Sequence, residues 1–220
     1  MKWIRRKRNS HGFGVQSPND YYFVQHVLRE RLPYYAYEEL DGLSEQFAQY
    51  GPNYSVPVCR LLFRLANFLH PHTILEVGSG SGLSAYSMVQ ALPLSGHCIA
   101  LTGSDVAPHV ADNPQIEVRI GDELALFRDA LQELPTLGLL HIAHTDYYKL
   151  CVELALPHVT DATLFVIEGI NDNAEKRLWW RSLQESRQTG IAYDVGSVGL
   201  LFFDRSRHKD AYWVALRDRQ

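Results

Sequence analysis

Glu76 stands two residues before Gly78, and Gly80 and Gly82 follow at alternate positions with Ser79 and Ser81 between them. The apolar run Ile74-Leu75 precedes this set, and a helix-like stretch at residues 83–92 follows it. Read physically, this is a strand running into a tight turn and then a helix. Glycine tolerates positive φ and lets a ligand approach the backbone closely. A helix start presents unpaired N–H groups and a partial positive charge. Such a turn suits the polar part of a nucleotide-like cofactor. A tight turn with no ligand is the structural alternative. The dinucleotide fingerprint spaces its glycines as G-x-G-x-x-G. The spacing here, E-x-G-x-G-x-G, is different.

That spacing resembles motif I of the class I methyltransferases that use S-adenosylmethionine. The resemblance implies a turn lying against the methionine and ribose portion of the cofactor, with Glu76 directed at its amino group. It extends to three further segments, residues 11–18 (HGFGVQSP), 62–67 (LFRLAN) and 195–203 (VGSVGLLFF). These are similar to a group of bacterial methyltransferases of Bacteroidetes type. Gly121-Asp122 matches the family's Gly-Asp or Gly-Asn pair, which implies that Asp122 reads the adenine amino group. Asp122 can also cap the helix that starts at Glu123. Most relatives place an acid at the tip of the second strand, where a carboxylate accepts both ribose O–H bonds. Thr102-Gly103-Ser104 stands there instead, and the first acid is Asp105. Either Asp105 reaches back or the ribose grip is lost.

The chemistry of transfer rests on the next two strand ends. Metal-dependent O-methyltransferases of related sequence end one strand in Asp and the next in Asp-Asp or Asp-Asn. These oxygens bind Mg²⁺, which lowers the pKa of a substrate hydroxyl. Ala143 and His144 stand at the first position here and Glu168-Gly169 at the second, so no metal is expected, with a site rebuilt from Glu168 and Asp146 or Asp172 as the alternative. Ligands of such sheets bind outside the carboxyl ends of the strands, which places His144 beside the methyl donor. A histidine takes a proton near neutral pH. Glu168 is read as its orienting partner or as the carrier of charge. A solvated turn residue is the competing reading of His144. His141 reads as a packed core or helix-facing histidine.

These residues need a scaffold that brings strand ends together. Strand-like runs at residues 73–77, 97–102, 115–120, 137–143 and 162–167 alternate with helical runs at 83–92, 123–134, 147–156 and 174–189. Strict alternation with apolar strands implies a parallel sheet covered on both faces. The last three β-rich runs, 191–195, 199–204 and 212–216, leave no room for a helix between the final two. An antiparallel hairpin across 205–210 is expected there. The expected fold is therefore α/β and Rossmann-like, a mostly parallel seven-stranded sheet with an antiparallel C-terminal hairpin. Ahead of it, an irregular arm at 1–19 leads to helices at 19–32, 37–50 and 56–69, capped at Asn19 or Asp20 and stopped by Pro33, Pro52 and Pro71. Residues 1–70 read as arm and helical cap, and 71–220 as the cofactor-binding domain, in one continuous unit. The aromatics Tyr21, Tyr22, Phe23, Tyr34, Tyr35, Tyr37, Tyr50 and Tyr54 read as helix packing and a dimer contact, with a substrate lid as the alternative.

Composition narrows the partners. The chain has 220 residues and a formal net charge of −4, enough for one α/β domain with an extension. No apolar run reaches the ~20 residues that span a bilayer, and no signal peptide is read at the start. The three cysteines, Cys59, Cys98 and Cys151, lie far apart and read as core residues of a cytoplasmic protein. Five of the 21 basic residues fall in residues 1–10, leaving 16 against 25 acidic residues in the rest. A basic arm packed on its own acidic body or on a twin subunit fits this better than a nucleic-acid contact. The sequence thus points to methyl transfer onto a small molecule, with oxygen as one acceptor. A scaffold that kept the fold and lost catalysis is the alternative.

Overall fold

The computed structural model describes residues 2–51 and 55–216. Its elements are α1 (Lys2–Ser10), α2 (Pro18–Phe23), α3 (Tyr35–Phe47), α4 (Val56–Leu69), β1 (Thr73–Val77), α5 (Leu83–Val89), β2 (His97–Thr102), α6 (Pro108–Ala111) and β3 (Ile116–Ile120). They continue with α7 (Glu123–Glu133), β4 (Leu139–Ile142), α8 (Tyr148–Ala155), β5 (Leu164–Ile167), α9 (Ala174–Glu185), β6 (Ala192–Val195), β7 (Val198–Phe202) and β8 (Ala211–Trp213). The strands form one sheet of eight in the order β3-β2-β1-β4-β5-β7-β6-β8. β1 to β5 run parallel, and β7 is antiparallel to both β5 and β6.

Two apolar cores follow from the alternation of side chains along the strands. Ile74, Leu139 and Val166 face α4, α5 and the N-terminal helices. Leu75, Leu140 and Phe165 face α7, α8 and α9. In α4 the spacing of Val58, Leu61, Leu62 and Leu65 lays one stripe against the sheet, and all four are buried. Burying such a side chain contributes about 1.5–3 kcal/mol.

The structure differs from the sequence reading at both ends. The arm is not irregular, because residues 2–10 form α1. Arg6, Asn9 and Ser10 share its inner side, and Arg6 pairs with Asp194 while Ser10 Oγ accepts from Ala215 N at 2.8 Å. Packing on the chain's own last strands supplies the contacts that so short a helix lacks alone. The next helix is capped by Ser17, whose Oγ accepts from Asp20 N, with Pro18 in the first turn. It runs into a π-helical turn over Val24–Leu28 and stops short of Leu32. Arg64 satisfies the carbonyls at its end, since its guanidinium donates to those of Val27 (2.7 Å) and Leu28 (3.4 Å). At the C-terminus the tight hairpin joins β6 and β7, and β8 lies parallel to β6 rather than antiparallel to β7. The expected stop at Pro52 and the aromatic Tyr54 lie outside the described residues.

Candidate functional site

The carboxyl ends of β1, β4 and β5 bring three polar side chains together on the face covered by α4 and α5. Glu76 is register partner to His141, and Glu168 follows Ile167 at the end of β5. His141 Nδ1 lies 2.6 Å from Glu76 Oε1, and its Nε2 lies 2.9 Å from Glu168 Oε1. All three side chains are buried. Ser79 Oγ donates to the other oxygen of Glu76. Both ring nitrogens can donate only in the imidazolium. Burial by itself disfavours that charge, but the two carboxylates more than offset it and raise the His141 pKa to about 9.

The glycine turn sits directly above. Gly78, Gly80 and Gly82 have φ of 78°, 54° and 87°. The amides of Gly78 and Ser79 donate to Leu101 O at 3.0 and 3.1 Å, which ties the turn to the end of β2. A Cβ on Gly78 would stand 2.8 Å from the backbone of His144, and one on Gly82 would stand 2.7 Å from Val110. Glycine is thus required twice here, by conformation and by space. The hydroxyls of Ser81 and Ser84, in and just after the turn, are buried and have no hydrogen-bond partner among the described residues. A buried hydroxyl left unpaired costs about 1–3 kcal/mol. Two of them within four residues fit a site that a polar ligand completes.

The next strand tips carry the remaining cofactor candidates. Gly121 N donates to Thr102 O at 3.0 Å, so the ends of β2 and β3 are held together. Asp122 caps α7 by accepting from Ala125 N at 2.7 Å. Asp105 is exposed in the loop after β2, where Ser104 N turns back onto Thr102 Oγ1. The turn residues 78–82, Glu76, Asp105, Gly121 and Asp122 therefore lie along adjacent strand ends.

His144 belongs to a neighbouring cleft of about 440 Å³, lined among others by Ala143, Asp146, Tyr148, Asp172 and Lys176. His144 is exposed there. The expected pairing of Glu168 with His144 is replaced, because the imidazole that Glu168 bonds is His141. The physical reason is strand parity, which puts His141 and Glu168 on the same sheet face. Lys176, from the first turn of α9, is only 7% exposed. Its ammonium lies 4.6 Å from the centre of the Tyr148 ring. Burial lowers its pKa, against the opposing pull of Asp172, Glu168 and Asp146. Ala143 and Gly169 bring no side-chain donor to the strand ends. Among the described residues no three His, Cys, Asp or Glu side chains are arranged to hold a metal ion, and this donor set does not fit an octahedral oxygen-ligated cation. A larger groove, about 610 Å³, lies between α1 and β8 and is lined by none of these residues.

Sequence reasoning missed His141, Lys176 and Ser84. For His141 a signal existed, since alternation places it with Ala143 on one face, and β1 and β4 are neighbours in a sheet of this order. Nothing in the sequence marked Lys176 or Ser84.

This sheet, with β7 inserted antiparallel beside β5 and a glycine turn after β1, is the class I methyltransferase fold. Solved structures agree. An O-methyltransferase from Bacillus cereus, in complex with S-adenosylhomocysteine, superposes with a TM-score of 0.60 at 17% identity, over 81% of this chain and 96% of its own. The O-methyltransferase TomG from Streptomyces achromogenes, involved in tomaymycin synthesis and in complex with S-adenosylmethionine, gives 0.57 at 18%, over 83% and 94%. A methyltransferase from Geobacter sulfurreducens gives 0.56 at 17%, over 85% and 97%. Identities this low establish the fold alone. No protein-family model matches the chain, and no curated protein matches it in sequence.

Proposed function

We propose that this protein is an S-adenosylmethionine-dependent methyltransferase that acts on a small molecule, with oxygen as the acceptor atom. The observation that carries the reading is the glycine turn with two buried, unpaired hydroxyls, Ser81 and Ser84, above the acid Glu76. The solved relatives that hold S-adenosylmethionine or its product support it. Residues 78–82 with Glu76 would hold the methionine part, and Asp105, Gly121 and Asp122 the adenosine part. The cofactor, when bound, supplies a methyl group on a positively charged sulfur. The chain's own part is to orient the acceptor and exclude water, which accounts for much of the rate in an in-line displacement. His144, at the cleft wall, would take the acceptor proton, and Lys176 would donate to its oxygen. Three free, buried cysteines support a site of action in the reducing cytoplasm.

Calorimetric titration with S-adenosylmethionine and S-adenosylhomocysteine tests this, with Gly80→Arg as control. Binding to the wild type and its loss in the control is the expected result. No binding to the wild type at about 1 mM ligand would sink the reading.

A further inference from the structure

Three buried side chains carry a charge that cofactor holding alone does not require. His141 lies between Glu76 and Glu168, 2.6 and 2.9 Å from their oxygens, beneath the glycine turn. With the shared proton on the imidazole the trio is two carboxylates and one cation. With it on a glutamate the trio is one carboxylate, one acid and a neutral ring. The net charge is −1 either way. It is enclosed, so water screens it weakly. It also spans β1, β4 and β5, from the proposed donor cradle to the edge of the acceptor cleft.

S-adenosylmethionine and S-adenosylhomocysteine differ by one methyl group and by one positive charge on sulfur. A fixed buried negative charge separates such a pair, because it attracts the sulfonium and is indifferent to the neutral thioether. Resting on the methyltransferase reading above, we propose that the Glu76–His141–Glu168 cluster is a charge-selecting floor that favours the cationic methyl donor over its neutral product. His141 is then a positioning residue. It holds both carboxylates in place and keeps their combined charge at one rather than two. Release of product would follow from the same charge, since methyl transfer removes the positive partner.

The test measures the ratio of the two dissociation constants, product over donor, by calorimetry. Both ligands carry an amino group, but the sulfonium lowers its pKa in the donor, so each free ligand's own titration is measured and subtracted before the ratio is taken. Wild type should prefer the donor. Measured at about pH 6, where His141 keeps its proton, Glu168→Gln brings the cluster to neutral and should shrink the preference by roughly three- to thirtyfold, chiefly by weakening donor binding. A Glu168→Gln protein that melts cooperatively and keeps the wild-type ratio overturns the proposal. If that variant does not fold, the wild type decides alone. Raising the pH from about 7 to about 9.5 removes most of the shared proton, since the His141 pKa is raised to about 9, and should raise the preference, and a flat ratio overturns the proposal. Among the described residues, Cys59, Cys98 and Lys176 also face the cluster. Burial pushes the thiols of Cys59 on α4 and Cys98 on β2 well up, so they stay neutral in this range. Lys176 on α9 faces Glu168 from the other side, so Lys176→Met is carried through the same pH series and should show the same rise. If neither ligand binds the wild type, the methyltransferase reading has failed. If both bind with a ratio indifferent to Glu168 and to pH, only the charge-selecting role has failed.

Discussion

His141 shows what a buried residue gains from its neighbours. Its pKa is raised from the ordinary histidine value to about 9 because two carboxylates face its two nitrogens. A pKa raised in the folded state stabilises the fold fully below the unfolded value, ~6.5. That contribution is lost as pH rises through about 9. Urea unfolding at pH 7 and pH 10 should therefore show a wild-type loss on the order of 3 kcal/mol. His141→Gln should be less stable at pH 7 and lack most of that alkaline loss. An equal loss in the variant would show that the alkaline loss comes from other groups. At this scale the sequence was informative about Glu76 and its glycines, since acid, spacing and turn conformation are all local. It assigned Glu168 the wrong histidine, His144 in place of His141, since two histidines three residues apart differ only in the sheet face they occupy.

At the scale of elements, the N-terminal segment is pinned to the end of the chain. Asp20 on α2 is buried and accepts from the hydroxyls of Tyr193 on β6 (2.8 Å) and Tyr212 on β8 (3.4 Å), and it pairs with Arg207. Removing one partner from a buried ion pair costs about 3–5 kcal/mol, because the other charge is left uncompensated. Asp20→Ala should lose about that much in urea unfolding, and Asp20→Asn, which keeps one accepting oxygen for a tyrosine hydroxyl, less. A loss in Asp20→Ala below about 1 kcal/mol would mean that the segment is held by apolar packing alone. Phe23 supplies that packing, with ring centres 4.8 Å from Tyr193 and 5.3 Å from Phe202. Element types were legible because the switch from a period of 3.6 to a period of 2 is written in the residues. The pairing of β8 was not. Alternation says that residues 211–213 are extended, and only the free edge left by β6 decides their neighbour.

For the whole molecule, the charge asymmetry resolves within one chain. The basic α1 lies against the last strands, with Arg6 on Asp194 and Arg5 stacked 4.2 Å from the centre of the Trp213 ring. This edge of the sheet is separated from β1 by four strands in the sheet order. Deleting residues 1–10 should lower the melting temperature by about 4–10 °C. It should leave the affinity for S-adenosylhomocysteine within about twofold. An unchanged melting temperature would show that α1 adds nothing to stability, and a collapse of affinity would tie the arm to the site.

Order along the chain, helix and strand periodicity and the glycine turn follow from local rules, and the amino-acid sequence carries them without help. A strand's period tells which residues share a face, and a turn's glycines tell where backbone must come close. What those faces meet is a different matter. Glu76, His141 and Glu168 are separated by 65 and 27 positions, and only the order of strands in the sheet makes them neighbours. The glycine turn could be read because its chemistry is contiguous. The buried charge beneath it could not, because it exists only where three strands end together.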